Sequence, residues 1–311
     1  MTVSITSAEL YLSFSDRLGL RWIAGKSHAA ERKITATSFQ VRPSLVGFLN
    51  LIHPNRVQVI GEEEMAWLDG LDAKSRWETI ARIFDLQPAA VIVAGGLEVA
   101  DDLEQWASES RAPLLTSSQP AWELVSFLEF QISRRLARKV TLHGVFMEIF
   151  TIGVLITGES GTGKSELALE LLTRGHRLIA DDAPEFTQLT PETIEGTCPP
   201  VLRDCLEVRG LGILNIRRMF GDATVKSAKF LRLIIHLHLP GEEPPGGDRL
   251  RGNTGKFQVL DLDIPQIHLP VMAGRNLAVM AEAAVRDFML RMKGFDAAAE
   301  FVERHGRLMS D

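Results

Sequence analysis

The sequence predicts an α/β protein with two units, a small N-terminal α/β domain over residues 1–135 and a C-terminal P-loop domain over residues 136–311. The chain has 311 residues, a length that suits two domains better than one. Its first part alternates short helical and strand patterns, which is typical of an open sheet with flanking helices. Its second part carries the motif GESGTGKS at 158–165 between an apolar run and a helical pattern.

The composition is that of an ordinary globular protein, with 45% apolar and 24% charged residues. The net charge of −6 argues against a nucleic acid partner, because duplex-binding proteins usually carry a basic excess. No stretch reaches the ~18 apolar residues that span a bilayer, and the N-terminus lacks the pattern of a signal peptide. Two cysteines, Cys198 and Cys205, are too few for a disulfide framework. We therefore expect a cytoplasmic protein with no membrane partner.

The N-terminal elements follow one another in a regular rhythm. Ser7 is predicted to cap a helix that runs to Leu18. The later apolar patterns predict, in chain order, a strand at 57–60, a helix at 75–86, a strand at 89–95, a helix at 99–110, a strand at 112–117 and a closing helix at 122–139. This part contains no phosphate loop and no clustered catalytic residues, so the sequence assigns it no chemistry.

The motif at 158–165 fits the P-loop pattern G-x-x-x-x-G-K-[ST] in full. Strand-forming residues dominate up to Gly158, and the helix pattern SELALELLTRGH follows. Glycines let backbone N–H groups point at phosphates, and the helix N-terminus adds positive potential. We therefore predict binding of a nucleoside triphosphate, with Lys164 on the β- and γ-phosphates and Ser165 on Mg²⁺. The predicted loop consists of Gly158, Glu159, Ser160, Gly161, Thr162, Gly163, Lys164 and Ser165.

Two consecutive carboxylates, Asp181 and Asp182, follow the next strand pattern, RLIAD. The carboxyl end of a strand faces the ligand in open α/β sheets. One carboxylate there can organise Mg²⁺, and another can accept the proton of an attacking hydroxyl. The alternative is a helix cap or a turn pair, which their position one helix after the P-loop disfavours.

Other candidates have weaker signals. Glu207 and Arg209 share one face of an extended segment, where a Mg²⁺ carboxylate and a phosphate-binding guanidinium would fit, although surface ion pairs look the same. His143 is a lone histidine near a strand, for which a structural role is the default. His236 and His238 alternate on one face like a metal pair, but no third ligand is evident, so a structural role is preferred.

A Gly/Pro-rich insert at 240–255 is too polar for a core and is predicted to be a mobile loop. Asp248, Arg249, Arg251 and Lys256 lie in or beside it. A lid that carries arginine can neutralise a phosphoryl group in transit, and a solvated surface loop is the alternative.

Several of these segments occur in the order and spacing of HPr kinase/phosphorylase, which the sequence resembles. They are HGV at 143–145, GVLITGESGTGKSELALELLTRGHRLIADD at 153–182, LEVRGLGI at 206–213, DRL at 248–250 and PVMAGRNLAV at 270–279. RPSLVGFLN and RVQVIGEEEMAWL resemble the first domain of that family more loosely, so the resemblance covers nearly the whole chain. It implies a P-loop kinase domain related to the carboxykinase-like nucleotide-binding fold.

The resemblance also implies an activity. Enzymes of this family use ATP to phosphorylate a serine of HPr, the phosphocarrier of the sugar phosphotransferase system, and remove that phosphate by phosphorolysis with inorganic phosphate. The family is typically a homohexamer whose C-terminal helices help to hold the assembly and touch the protein substrate.

Roles for single residues follow from the same resemblance. Ser165 and Glu207 correspond to Mg²⁺ ligands, and Asp181 and Asp182 to the acid/base carboxylates, of which Asp182 is favoured for the proton. His143 and Arg249 correspond to the remaining active-site positions. The signature and dephosphorylation loops correspond to Leu206, Glu207, Val208, Arg209, Gly210, Leu211, Gly212, Ile213, Leu214 and Asn215, and to Pro270, Val271, Met272, Ala273, Gly274 and Arg275.

Three places depart from the family pattern. Met272-Ala273 stands where the family usually has Arg-Pro, which removes a phosphate-binding donor from the loop linked to dephosphorylation. Phe150-Thr151 replaces a Tyr-Gly pair, and Gly247 replaces an aromatic residue before Asp248.

Three functions remain open from the residues themselves. The first is an ATP-dependent serine kinase that acts on HPr or an HPr-like carrier. The second is a P-loop kinase or carboxykinase-like enzyme that acts on a small metabolite. The third is a nucleotide-dependent sensor, which the Asp pair disfavours because a switch that only positions water would not need two carboxylates at that strand end.

Overall fold

A computed structural model describes residues 4–35, 44–239, 252–272 and 274–308. The chain divides into two compact units, Met1–Ala137 and Arg138–Asp311. Within the described ranges, no helix combines the length and the apolarity needed to cross a membrane.

The N-terminal unit is a largely parallel sheet with flanking helices. Its main sheet has the order β2-β7-β6-β5-β4, in which β4 to β7 run parallel and β2 pairs antiparallel with β7. The strands are β1 Ser4–Thr6, β2 Arg21–Ala24, β3 Lys33–Thr35, β4 Val46–Phe48, β5 Val57–Ile60, β6 Ala90–Val93 and β7 Leu114–Thr116. The helices are α1 Ser7–Leu18, α2 Glu62–Asp69, α3 Ala73–Asp85, α4 Asp101–Glu109 and α5 Ala121–Leu136.

The central strands of this unit are almost entirely apolar, with Gln58 as the one polar residue, because helices cover both faces of the sheet. Every residue of β5 and β6 is buried, as expected for parallel strands covered on both sides. Leu124, Leu128 and Ile132 recur along one face of α5 and pack into one core cluster, whereas α3 and α4 pack into another. The predicted α/β class is confirmed.

The predicted cap of the first helix is wrong by one residue. Thr6 is the N-cap, since its hydroxyl accepts the Glu9 N–H at 3.2 Å while the Glu9 carboxylate accepts the Thr6 N–H at 2.8 Å. Ser7 is buried instead, and its hydroxyl donates to the carbonyl oxygen of Ala89 at 2.5 Å.

The C-terminal unit is a larger mixed sheet. Its main path has the order β11-β9-β10-β16-β13-β12-β8, β18 pairs with both β16 and β17, and β14 and β15 form a separate hairpin. The strands are β8 Lys139–Thr141, β9 Val145–Ile149, β10 Ile152–Gly158, β11 Arg177–Ala180, β12 Glu185–Thr190, β13 Thr193–Thr197, β14 Cys205–Val208, β15 Gly212–Asn215, β16 Ala228–His238, β17 Thr254–Val259 and β18 Leu262–Pro270. The helices are α6 Lys164–Thr173, α7 Ile216–Phe220, α8 Leu277–Met292 and α9 Ala297–Leu308.

The strand directions bring four carboxyl ends to one edge of this sheet. β10 is parallel to β16, and β16 is parallel to β18. β9 is antiparallel to both β10 and β11, so these two strands also point the same way. On one face α6 and α8 pack against Val154 and Ile156, while on the other Leu155 packs with the edge-to-face rings of Phe146 and Phe186. The P-loop, the Asp pair and the 270–275 loop therefore all leave the sheet at the same edge.

Two sequence expectations need correction in this unit. The strand-forming run up to Gly158 contains a hairpin between β9 and β10, which turns at Phe150 and Thr151 with φ angles of 46° and 77°. The predicted loop at 240–255 is wrong at its end, because Thr254 and Gly255 pair with β18 as part of β17. Asp248, Arg249 and Arg251 lie outside the described residues, and Lys256 lies in β17 with its ammonium 3.6 Å from the Asp263 carboxylate.

Candidate active site

The P-loop connects the buried strand β10 to helix α6. Gly158 begins it with a φ of 147°, and a Cβ at this position would lie 2.7 Å from the Leu237 carbonyl oxygen and 2.9 Å from the Thr162 hydroxyl. Gly163 caps α6 in the left-handed region, with a φ of 85°. The loop therefore needs glycine at both ends, at its entry for space and at its exit for conformation.

Lys164 lies inside this loop rather than in solvent. Its side chain is 8% exposed, and its ammonium donates to the carbonyl oxygens of Gly158 and Glu159, each at 2.9 Å. Thr162 is also buried, and its hydroxyl donates to the same Glu159 oxygen at 2.9 Å. The loop thus surrounds the Lys164 ammonium, which can exchange these carbonyl oxygens for the oxygens of a bound polyphosphate. Ser165 follows in the first turn of α6.

Asp181 and Asp182 follow β11 but have opposite surroundings. The Asp181 side chain is buried and accepts the Glu207 N–H at 2.8 Å. Burial raises the pKa of Asp181, and the backbone hydrogen bonds from Glu207 and Asp182 only partly oppose that effect. Asp182 is exposed, adopts the left-handed region with a φ of 66°, and its carboxylate lies 3.1 Å from Nδ1 of His143. Asp181 can therefore hold the β14–β15 hairpin in place, while Asp182 is accessible to a substrate.

The β14–β15 hairpin places the predicted Glu207–Arg209 face towards the P-loop. Leu206 and Val208 point into the core, so Glu207 and Arg209 lie on the exposed side. A guanidinium nitrogen of Arg209 is 3.7 Å from the position that a Cβ on Gly161 would occupy. His143 contacts Asp182, which follows Asp181, and Asp181 accepts the Glu207 N–H. Arg209, two residues after Glu207, lies beside Gly161, so these residues and the P-loop form one continuous group.

The 270–275 loop is anchored next to the same edge. The Val271 N–H donates to the His238 carbonyl oxygen at 2.8 Å. Asn276 caps α8 at its Val279 N–H and donates to the Glu170 carboxylate on α6 at 2.8 Å. Met272 is half-exposed, while Ala273 lies outside the described residues, as does Arg249. The structure therefore ties this loop to the P-loop helix, a link that the sequence analysis missed because it depends on the packing of α6 against α8.

Comparisons with known proteins identify the family. The HPr Serine kinase C-terminal domain matches residues 134–305, and the HPr Serine kinase N terminus matches residues 5–130. The chain belongs to the HPr serine kinase family. The HPr kinase/phosphorylase of Xanthomonas axonopodis pv. citri (strain 306) is 57% identical over 312 residues, which cover 99% of this chain and 98% of that protein. The HPr kinase/phosphorylase of Xanthomonas campestris pv. campestris (strain B100) is 56% identical with the same coverage.

A solved structure from the same family also matches the chain. The Hpr(Ser) kinase/phosphatase from Coxiella burnetii is 36% identical, and the match covers 52% of this chain and 98% of that one, with a TM-score of 0.48.

The site of this HPr serine kinase family member fits a nucleotide with its magnesium ion. Mg²⁺ prefers oxygen ligands, keeps several waters, and is usually held by one or two protein groups together with phosphates. The Ser165 hydroxyl and the exposed Glu207 carboxylate are oxygen donors of that kind. Over the described part of the chain, no group of three or more His, Cys, Asp or Glu side chains forms a closed metal site.

Proposed function

We propose that the chain is an HPr kinase/phosphorylase. In one direction it transfers the terminal phosphate of ATP to a serine hydroxyl of HPr or an HPr-like carrier. In the other, inorganic phosphate takes the phosphoryl group from phosphoserine, which gives serine and pyrophosphate. The observation that carries this proposal is the 57% identity to a curated HPr kinase/phosphorylase over 99% of the chain.

We assign nucleotide binding to the P-loop, Gly158–Ser165. Lys164 exchanges its bonds to loop carbonyls for the β- and γ-phosphates, and backbone N–H groups at the start of α6 bind phosphate oxygens. Ser165 and Glu207 would hold Mg²⁺, which would supply positive charge to offset that of the phosphates. Arg209, beside Gly161, adds a second cation to the phosphate region.

We assign the proton transfer to Asp182. In the kinase direction its carboxylate accepts the proton of the serine hydroxyl as that oxygen attacks phosphorus. In the reverse direction the protonated Asp182 returns the proton to the departing serine oxygen. Its exposure and its contact with His143 support this role, because a protein substrate must reach the base from solvent. Asp181 supports the base by holding Glu207 through the backbone.

We assign the incoming phosphate of the reverse reaction to the region of the 270–275 loop and Arg249. Arg275 remains in this loop, and the hydrogen bond from its N–H to the Met272 carbonyl oxygen at 3.3 Å closes a turn. Retention of Arg275 supports reverse activity despite the methionine at position 272.

The partner and the assembly are also part of the proposal. The C-terminal helices and the segment between them expose large apolar side chains, which suits a homohexamer and a docking surface for HPr. These side chains are Leu290, Met292, Phe295, Phe301 and Val302. Cys198 and Cys205 are free thiols, which is consistent with a reducing cytoplasm.

The test uses the purified full chain, Mg·ATP and HPr from the same source. Intact mass should show one added phosphate on HPr, and mapping should place it on a serine. Added inorganic phosphate should then remove the mark as pyrophosphate appears. A mark that persists would refute the reverse reaction alone. Absence of any mark, with ATP still bound, would refute HPr as the substrate and favour a small-metabolite kinase.

A further inference from the structure

Three histidines form a cluster at the carboxyl edge of the C-terminal sheet. His236 and His238 lie on β16, and His268 lies opposite His236 on β18. The ring centroids of His236 and His238 are 4.6 Å apart, those of His238 and His268 4.8 Å, and those of His236 and His268 5.7 Å. His238 and His268 are each only 9% exposed. The sequence analysis missed His268, because the register of two strands 30 residues apart is not visible in a sequence.

The cluster is a hydrogen-bonded group rather than a metal site. Nε2 of His238 lies 2.6 Å from Nδ1 of His268, a distance at which one nitrogen donates a proton to the other. Two imidazole nitrogens on one zinc ion would instead each point at the metal from about 2.0 Å. No metal-binding group is found among the described side chains, in agreement with this geometry.

One end of the cluster supports the P-loop. Nδ1 of His236 lies 2.8 Å from the hydroxyl of Thr157, the residue immediately before Gly158. The Leu237 carbonyl oxygen, between the two histidines of β16, is the atom against which Gly158 lies. The entry of the P-loop therefore rests on the segment 236–238.

The other end of the cluster supports the 270–275 loop. The His238 carbonyl oxygen accepts the Val271 N–H at 2.8 Å, and the His268 N–H donates to the Asn253 carbonyl oxygen at 2.9 Å. His268 precedes Pro270 by two residues on the same strand. The segment 236–238 thus contacts both loops, through the His236 ring at Thr157 and through the His238 backbone at Val271, while the His238–His268 hydrogen bond joins the side chains of β16 and β18 between them.

The His238–His268 hydrogen bond tolerates only one proton between its two nitrogens. A proton on both facing nitrogens would place two donors 2.6 Å apart and break the bond. Burial lowers the pKa of His268, and the neighbouring His238 and His236 lower it further. Among the described residues, β10 presents the neutral Thr157 to the cluster and β17 presents Gly255 to the His268 ring.

We propose that His236, His238 and His268 are positioning residues that hold the P-loop and the 270–275 loop in register, and that a proton taken up from solvent, so that Nε2 of His238 and Nδ1 of His268 both carry one, releases this link. The inference rests on the proposed nucleotide site. It adds a control of that site by acid, through residues that touch neither nucleotide nor substrate.

The test compares three forms of the full chain: wild type, His268→Asn and His268→Leu. Asparagine can place a polar atom near the position of Nδ1 but takes no proton, whereas leucine keeps volume and loses the bond. Mg·ATP affinity is measured by calorimetry from pH 8 to pH 5.5. Titration of ATP itself is common to all three forms, so the differences between forms carry the result.

We expect His268→Leu to weaken Mg·ATP about 5-fold at pH 8, the effect of losing one buried hydrogen bond. His268→Asn should bind like wild type at pH 8 and should gain on wild type as the pH falls, by about 5-fold once acid has opened the wild-type pair. A merely structural role for His268 would shift affinity by the same factor at every pH.

Parallel pH profiles for wild type and His268→Asn would overturn the inference while leaving the proposed function intact. Absence of Mg·ATP binding in all forms would overturn the nucleotide site and the inference with it. If the His268 variants do not fold, His238→Gln removes the same second proton while an amide can still reach His268, and it must then show the same flattened profile. Imidazole NMR of the wild type gives an independent reading, since the loss of Mg·ATP affinity in acid must follow the protonation of this pair.

Discussion

Replacement of Asp182 by asparagine isolates the proton-transfer step. Asparagine keeps the size of the side chain and tolerates the left-handed conformation that Asp182 adopts at a φ of 66°. The side chain is 62% exposed, so the free energy of unfolding should change by no more than about 0.5 kcal/mol. The variant should therefore remain folded and lose only the ability to accept a proton.

The expected loss follows from the size of general base catalysis. A positioned base contributes about 10²- to 10⁴-fold in rate, which corresponds to about 3–5 kcal/mol in the activation barrier at ~1.4 kcal/mol per decade. The rate of phosphoserine formation should fall by that factor. The Kd for Mg·ATP should stay within about 2-fold, because phosphate binding is assigned to Lys164 and the P-loop.

The assay is single-turnover phosphorylation of HPr, followed by intact mass, with nucleotide affinity measured by calorimetry. Asp85→Asn is the matched control, since it makes the same chemical change at an exposed position of α3. Asp182→Ala should be as inactive as Asp182→Asn and less stable by about 1–2 kcal/mol, the cost of alanine in the left-handed region. If Asp182→Asn retained more than a tenth of the wild-type rate, the assignment of the proton to Asp182 would be refuted.

The remaining predictions concern binding and stability. Lys164→Ala should abolish transfer in both directions and weaken Mg·ATP at least 10-fold by calorimetry; unchanged affinity would contradict the P-loop assignment. Asp181→Asn should unfold at a higher temperature than wild type at pH 7, because the raised pKa of Asp181 means that its ionised form opposes folding, and the advantage should vanish near pH 3. The hydrogen bond from Arg174, and after it the one from His176, lowers the pKa of Glu282 to about 2. Glu282→Gln should therefore cost about 1–2 kcal/mol in thermal unfolding at pH 7, a difference that must shrink as the pH falls from the ordinary value of 4.5 towards about 2. An equal loss at every pH would mean that packing rather than charge is responsible.

The sequence predicts local elements well where a signal is contiguous. β5, β6, α3, α4 and α5 were all expected, because apolar periodicity reports burial directly. The Thr6 cap was missed although Thr6 and Glu9 have the spacing of a capping box, since Ser7 competes as a cap by residue type.

The β9–β10 hairpin could not be predicted from its turn residues. Phe150 and Thr151 both have positive φ, a conformation that turn sequences usually supply with glycine or asparagine. Tertiary contacts stabilise it instead, because the Phe150 ring lies under the Arg286 guanidinium at 3.9 Å and against the edge of His176 at 4.7 Å. Both partners are distant in the sequence, so the local pattern carried no sign of the turn.

The same limit applies to the Asp pair, and it shows what the structure adds to the mechanism. In the sequence Asp181 and Asp182 are equivalent carboxylates, and only the family resemblance favours one of them. The backbone separates them, because the reversal of φ at Asp182 turns its side chain outward while Asp181 stays buried against the Glu207 N–H. Two adjacent carboxyl groups whose surroundings differ this much are suited to different tasks. Asp181 can fix the β14–β15 hairpin relative to β11, and Asp182 can exchange a proton with a serine that arrives from solvent. A single carboxylate could not do both, because the burial that holds Asp181 against the hairpin backbone also keeps it from a serine that arrives from solvent.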